Sequence, residues 1–283
     1  MRGIGLVRNL FLATHPGPSL AVTAVTIVLA VTAGLPLDRL VLVALAMLAN
    51  QFSIGLSNDW RDSARDTRAA RGDKPLVTGL LSPTLVRNVA FVCVVISLGL
   101  SAWLGPWVLL AQVAGIASGW IYNLGAKATV FSFVPYVVGF GILPVIVSLS
   151  SGTPVLAAPW VIAVAAVLGV AAHFANALPD IEHDRSEGIL GLPQRLGARA
   201  SGVITYIVLL FGATIAFFGP GGAISVAQWI GLGVNVLIAV VGVWLVVRWS
   251  PNQPPTRLAF QLIMVAALAN VVMIAVAGTK ILA

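Results

Sequence analysis

The sequence predicts an all-α polytopic membrane protein, a nine-transmembrane-helix bundle with two aspartate-rich loops on its cytoplasmic face. Three observations lead there. Of 283 residues, 59% are apolar and only 9% charged, and a mean hydropathy of +1.02 is far too high for a soluble domain. The apolar residues run in nine stretches, each near the roughly 17 to 25 residues that a bilayer crossing requires. The few charges collect at alternate junctions between these stretches, and most of the acids fall in two short segments.

The chain opens with Arg2 and Arg8 beside an apolar stretch, which reads as a short interfacial helix. Thr14-His15-Pro16-Gly17-Pro18 separates it from span one, at about 18–36. A signal peptide would end in a small-residue cleavage site and give way to soluble sequence; here hydrophobic spans follow without pause. Span two, 39–58, runs into the polar stretch Asn58 to Lys74. Spans three and four, 84–104 and 106–124, are divided by Gly105-Pro106. Span five, 130–150, follows a short loop whose only charge is Lys127, and span six, 157–178, leads into a second polar segment. Spans seven to nine, at 200–218, 226–248 and 257–279, complete a single domain, 1–283, of two related halves, about 1–125 and 126–283.

The charges orient this arrangement. The N-terminus, the even-numbered loops and the span ends beside them contain every Lys and Arg except Arg39 and Lys280, and the loops after spans three, five and seven contain no charge. The positive-inside rule then places the N-terminus and both acidic segments in the cytoplasm of a cell-membrane protein, and the C-terminus outside. The same rule accounts for the net charge of +7 without a nucleic-acid partner, because the basic residues flank spans instead of forming a basic surface. Eight of the nine carboxylates, all but Asp38, share the cytoplasmic side. That rule says nothing about acids, so they need another reason.

Asn58, Asp62 and Asp66 recur at i, i+4 and i+8, and on a helix they project from one face at steps of about 6 Å. Stacked like charges repel unless a cation lies between them. Carboxylates that cannot close around an ion alone suit Mg²⁺, which keeps positions open for water and phosphate oxygens. Arg65, Arg68, Arg71 and Lys74 add phosphate donors. After span six, Asn176, Asp180 and Asp184 repeat the spacing. Four intervening spans return the second ladder to the same membrane face, as two halves of one site require.

These motifs resemble those of the UbiA family of intramembrane prenyltransferases. The family's first motif, Asn-x-x-x-Asp-x-x-x-Asp, is present as Asn58, Asp62 and Asp66, and its second, Asp-x-x-x-Asp, as Asp180 and Asp184. Lys74-Pro75 followed by Gly79 looks like its basic-Pro-x-x-x-Gly segment. Gly191-Leu192-Pro193 with Arg195-Leu196-Gly197 looks like its Leu-Pro and Leu-Gly stretch. Tyr122 and Lys127 resemble a family loop with a tyrosine and a basic residue, although Ala128 stands where a second basic residue is common. The resemblance implies a nine-helix bundle that binds Mg²⁺ and the diphosphate of a polyprenyl donor, with a lateral opening to membrane lipid. It implies that Asp62, Asp66, Asp180 and Asp184 are catalytic metal ligands, with Asn58 and Asn176 as neutral ligands or orienters. Arg71, Lys74, Tyr122 and Lys127 would then contact the substrate.

The acceptor is less defined. The resemblance implies a cation near the acceptor in members that prenylate aromatic acids, and span one has no Lys or Arg. That leaves a neutral quinone precursor, a phenol, another lipid, a chlorin-like alcohol or no acceptor at all, with a lipophilic aromatic or quinone-like acceptor as the main reading. The alternative is a membrane terpene cyclase that uses no acceptor; a transporter is remote, because transporter sites usually lie near the midplane. His15 is a candidate for the acceptor pocket or for helix entry, and His173 for function or for a hydrogen-bonded core. Asp59 reads as a group orienting a metal ligand, Glu182 and His183 as solvent-facing, and Cys93 as packing. The Trp residues near span ends read as an aromatic belt.

Overall fold

The computed structural model describes residues 2–68, 72, 74–249 and 257–283. Among them each of the nine apolar stretches is helical. The elements are α1 (Arg2–Ala13), α2 (Pro16–Thr32), α3 (Leu37–Arg68), α4 (Pro83–Leu104), α5 (Pro106–Leu124), α6 (Val134–Leu149) and α7 (Pro159–Ala177). Two short helices, α8 (Ile181–Ser186) and α9 (Leu192–Leu196), precede α10 (Ala198–Phe218), α11 (Val226–Val247) and α12 (Arg257–Val276). Seven helices are long and apolar enough to cross a membrane, and an eighth span counts if α1 and α2 are taken together across their 67° bend. The helix α6, of 16 residues, is shorter than that, and α2 alone has 17. The expected count of nine crossings therefore exceeds what helix length alone supports.

Proline starts several of these helices. Pro16, Pro83, Pro106, Pro135 and Pro159 each occupy a first or second helical position, where the missing N–H would have no partner anyway. Consecutive helices pack on one another from α2 to α7, α10 takes the place beside α7, and α12 returns to α2, so the bundle closes on itself. At 32 residues α3 is about 48 Å long, against a hydrocarbon core of about 30 Å. It is therefore about three turns longer than a crossing needs.

The apolar core is single at one end and divided at the other. One cluster joins Leu29, Met47, Val108, Ile146, Val161, Phe217 and Ile281 across the ends of α2, α6 and α10 and the starts of α3, α5 and α7. At the opposite end, Ala13, Leu56, Leu81 and Val86 form one cluster behind the end of α3. Leu178, Ile181, Tyr206 and Val246 form another behind α7 and α8. The two basic residues that broke the charge pattern sit at the single-core end, where Arg39 donates to the Ser150 carbonyl at 3.0 Å and Lys280 to the Gly221 carbonyl at 3.2 Å.

Candidate active site

Both acidic segments lie at the divided end. An i, i+4, i+8 row drifts by about 40° per step on an α-helix, so Asp66 sits about 80° round from Asn58 and close to the azimuth of Asp59. The side-chain partners follow this drift. Asn58 Nδ2 donates to Asn123 Oδ1 at 3.2 Å, and Asn123 is itself fixed by bonds to the Ile54 carbonyl and Ser57. Asp62, one step on, receives Lys127 Nζ on both oxygens at 2.6 Å and Arg65 at 3.0 Å. Asp59 and Asp66 share Lys74, at 2.8 and 3.0 Å. All three aspartates are buried. Lys74 approaches Asp66 Oδ2 without hydrogen-bond alignment, and that oxygen has no donor among the described residues.

The two lysines thus stand against carboxylates, a pairing that spacing did not predict. Burial opposes the charge of Lys74, but Asp59 and Asp66 outweigh it and raise its pKa above the ordinary lysine value. For Lys127 burial is the larger cause and lowers the pKa, although Asp62 and Asp184 oppose the shift. Arg71 lies outside the described residues.

The second ladder does not ride on one continuous α-helix, as its spacing implied. Pro179 has no N–H to give, and residues Leu178–Asp180 form a 3-10 turn between α7 and α8. Burial of Leu178 and Ile181 anchors this turn and leaves Asp180 exposed. Asp180 makes no hydrogen bond or ion pair among the described residues, and Asp184 accepts from Gln194 Nε2 at 2.8 Å. Asn176 Nδ2 reaches the Tyr136 hydroxyl at 3.3 Å.

The ladders meet electrostatically. Asp184 interacts with Asp180 of its own segment and with Arg65 and Lys127 across the site. Tyr122 lies within the fields of both Asp62 and Asp184 and packs edge-on against Tyr136 and His173, with centroids 5.2 and 5.9 Å apart. Tyr136 and Gln194 were not foreseen, since nothing in their sequence neighbourhood marks them as facing the acids.

The remaining candidates resolve individually. His15 is the only non-glycine residue with positive φ among those described, at 53°, and its Nε2 lies 2.8 Å from Asp59 Oδ1. It therefore ties the α1–α2 bend to the first ladder. His173 is buried, pairs with Ser132 Oγ at 3.0 Å and packs against Tyr122 and Tyr136. Glu182 and His183 face solvent, Glu182 opposite Arg185 at 3.4 Å. Cys93 is half-buried beside the first-ladder cluster, and Trp103 and Trp107 are exposed at the α4–α5 junction.

Among the described residues no three His, Cys, Asp or Glu side chains converge as a closed metal cage. The donor chemistry still fits a hard cation. Among the described residues, Asp66 Oδ2 is buried and meets Lys74 at 3.0 Å without an aligned hydrogen bond, Asp180 is unpaired, and Asp184 uses one oxygen. Such donors, spread over two segments, match an ion that completes its shell with substrate oxygens.

The profile of the UbiA prenyltransferase family matches residues 19–271. Among solved structures, a UbiA homolog from Archaeoglobus fulgidus bound to GPP and Mg²⁺ is similar at a TM-score of 0.70 and 16% identity, over 95% of this chain and 97% of its own. The apo UbiA homolog from Aeropyrum pernix K1 gives a TM-score of 0.72 at 18% identity, over 92% of this chain and 98% of that one. A structure concerned with digeranylgeranylglyceryl phosphate synthase in membranes gives 0.66 at 13% identity, over 97% and 99%. No curated protein sequence matches the chain. The match spans most of the sequence and includes both ladders, and the chain belongs to the UbiA prenyltransferase family.

Proposed function

We propose that this chain is a Mg²⁺-dependent intramembrane prenyltransferase that ionises a polyprenyl diphosphate and transfers the prenyl group to a lipophilic, aromatic or quinone-like acceptor. The observation that carries the reading is the approach of the two acidic segments: Lys127 sits on Asp62 at 2.6 Å, and its carbonyl lies against Gly191 of the segment whose Gln194 holds Asp184 at 2.8 Å. Similarity to a structure bound to GPP and Mg²⁺ supports a prenyl diphosphate as donor. The sorting of Arg39 and Lys280 to the opposite end supports nine crossings, with the N-terminus and both ladders cytoplasmic and the C-terminus outside.

Asp62, Asp66, Asp180 and Asp184 hold the metal, with Asn58 and Asn176 as neutral oxygen ligands or orienters. Bound Mg²⁺ supplies neutralisation of the charge that develops on the leaving diphosphate. Lys127, Lys74 and Arg71 give hydrogen bonds to the same oxygens, worth most where water is scarce. Lys127 sits on Asp62, so diphosphate binding exchanges a carboxylate partner for a phosphate one. The C1–O bond breaks with its electron pair leaving on the diphosphate, a bond forms from the acceptor to C1, and the acceptor's proton passes to the released diphosphate. Apolar surroundings keep water from the allylic cation.

Purified protein in detergent, given Mg²⁺ and geranyl, farnesyl or geranylgeranyl diphosphate, should form prenylated product only when a phenol or quinone precursor is added. Asp62→Ala and Asp180→Ala should abolish it. Retained activity in both variants would overturn the assignment, and a cyclic hydrocarbon formed without acceptor would replace transfer by cyclisation.

A further inference from the structure

The segment around α9 has no role in the reaction so far, yet it touches both sides of the site. Gln194 is buried, and its Nε2 donates to Asp184 Oδ2 at 2.8 Å while its main-chain carbonyl accepts from Arg185 Nε. Two bonds therefore clamp α9 onto α8. The same segment is anchored elsewhere. Leu192 N–H donates to Ser132 Oγ at 2.9 Å, Ser132 pairs with His173, and Ser201 Oγ donates to the Pro193 carbonyl at 3.2 Å. Gly191 lies directly against the Lys127 carbonyl.

We propose that Gln194 is a positioning residue for Asp184: its amide fixes one carboxylate oxygen and leaves the other directed to the metal. The proposal rests on the reading that Asp184 is a metal ligand. A buried carboxylate can turn about its terminal torsion through a broad range, and a ligand that turns binds a metal poorly. An amide donor restrains that torsion without neutralising the charge, unlike a lysine or arginine placed at the same point. Because α9 also abuts the Lys127 loop, the metal side and the diphosphate side of the site share one support. Groups that orient metal ligands in this way typically contribute about 10–100-fold to metal affinity.

The test measures Mn²⁺ affinity by electron paramagnetic resonance, on the full chain in detergent with inorganic pyrophosphate. It compares wild type, Gln194→Glu, Gln194→Met, Asp184→Ala and the Gln194→Met/Asp184→Ala double variant. Both Gln194 variants should weaken Mn²⁺ binding by about 10-fold or more and raise the Mg²⁺ concentration for half-maximal transfer, with donor KM unchanged at saturating Mg²⁺. The double variant should bind no more weakly than Asp184→Ala, since Gln194 acts through Asp184. Wild-type affinity in the Gln194 variants, with weakened Asp184→Ala, would overturn the proposal alone; so would a double variant showing the product of the single losses. Wild-type affinity in Asp184→Ala would instead remove the ligand reading beneath it. Gln194→Met introduces no charge and carries the comparison if Gln194→Glu fails to fold.

Discussion

Gly191→Ala is the sharpest perturbation of the support beneath the site. Gly191 has φ −64° and ψ 173°, a conformation open to alanine, so the substitution costs nothing through the backbone. The cost is steric. A Cβ there would overlap the Lys127 carbonyl oxygen, come within 2.7 Å of Gln194 Oε1 and stand 3.1 Å from Ser132 Oγ. Relief to an ordinary contact requires the Lys127 loop to retreat by about 1 Å, because non-bonded heavy atoms prefer about 3.5 Å or more. Overpacking of this kind costs about 1–3 kcal/mol of stability, which a bundle this size tolerates. A displacement of about 1 Å in a group that positions substrate can cost about 100-fold in rate. Prenyl transfer by Gly191→Ala should therefore fall by about two orders of magnitude while thermal unfolding in detergent shifts only slightly. Gly99→Ala is the control, since a Cβ on that α4 glycine meets nothing within 4 Å. Activity of Gly191→Ala within twofold of wild type would refute the idea that this close approach places Lys127.

Three further outcomes are expected. Asp62→Asn should lose activity and stability together, and adding Lys127→Met should recover part of the stability but none of the activity; a double-mutant cycle on thermal unfolding should give about 1–3 kcal/mol of coupling, and additive losses would contradict the ion pair. In metal-free buffer the Lys74 contribution should be fully present below the ordinary lysine pKa and lost only as pH rises through the raised value in the fold. Unfolding profiles from about pH 9 to 12 should show that alkaline loss in wild type and not in Lys74→Gln. Gly242→Ala, whose Cβ would overlap the fully buried Tyr206 ring, should lower the unfolding temperature at a cost of about 1–3 kcal/mol while leaving the Mg²⁺ requirement unchanged.

The sequence was most informative where a single helix or one membrane face decides the outcome. The apolar runs became helices because each can satisfy its own backbone in lipid. The alternation of charge placed both acidic segments at one end because topology needs only the order of spans. Features that depend on partners far along the chain were not legible. Nothing near Lys127 says that its ammonium sits on Asp62, since that contact depends on how α5 packs beside α3. Four residues are slightly more than a full turn, and the accumulated drift hands Asp66 to Lys74 together with Asp59. Pro179 was visible, but its conversion of the second ladder into a 3-10 turn was not drawn from it. Gln194 lies within the Leu-Pro and Leu-Gly stretch, but only the fold shows that it reaches Asp184.

The divided core has a consequence for where the bundle can open. Local unfolding is cheapest where few apolar contacts must be broken. At the single-core end, every parting of helices disrupts one shared cluster, so its amides should exchange with solvent only on global unfolding. At the ladder end, the clusters behind α3 and behind α7 can move apart while each stays intact, at the expense of polar contacts such as Lys127 to Asp62. The apolar packing is thus continuous at the base and parted at the ladder end. Opening at the ladder end should therefore precede any parting at the base, a difference that amide exchange in the two halves of α3 and α7 would register.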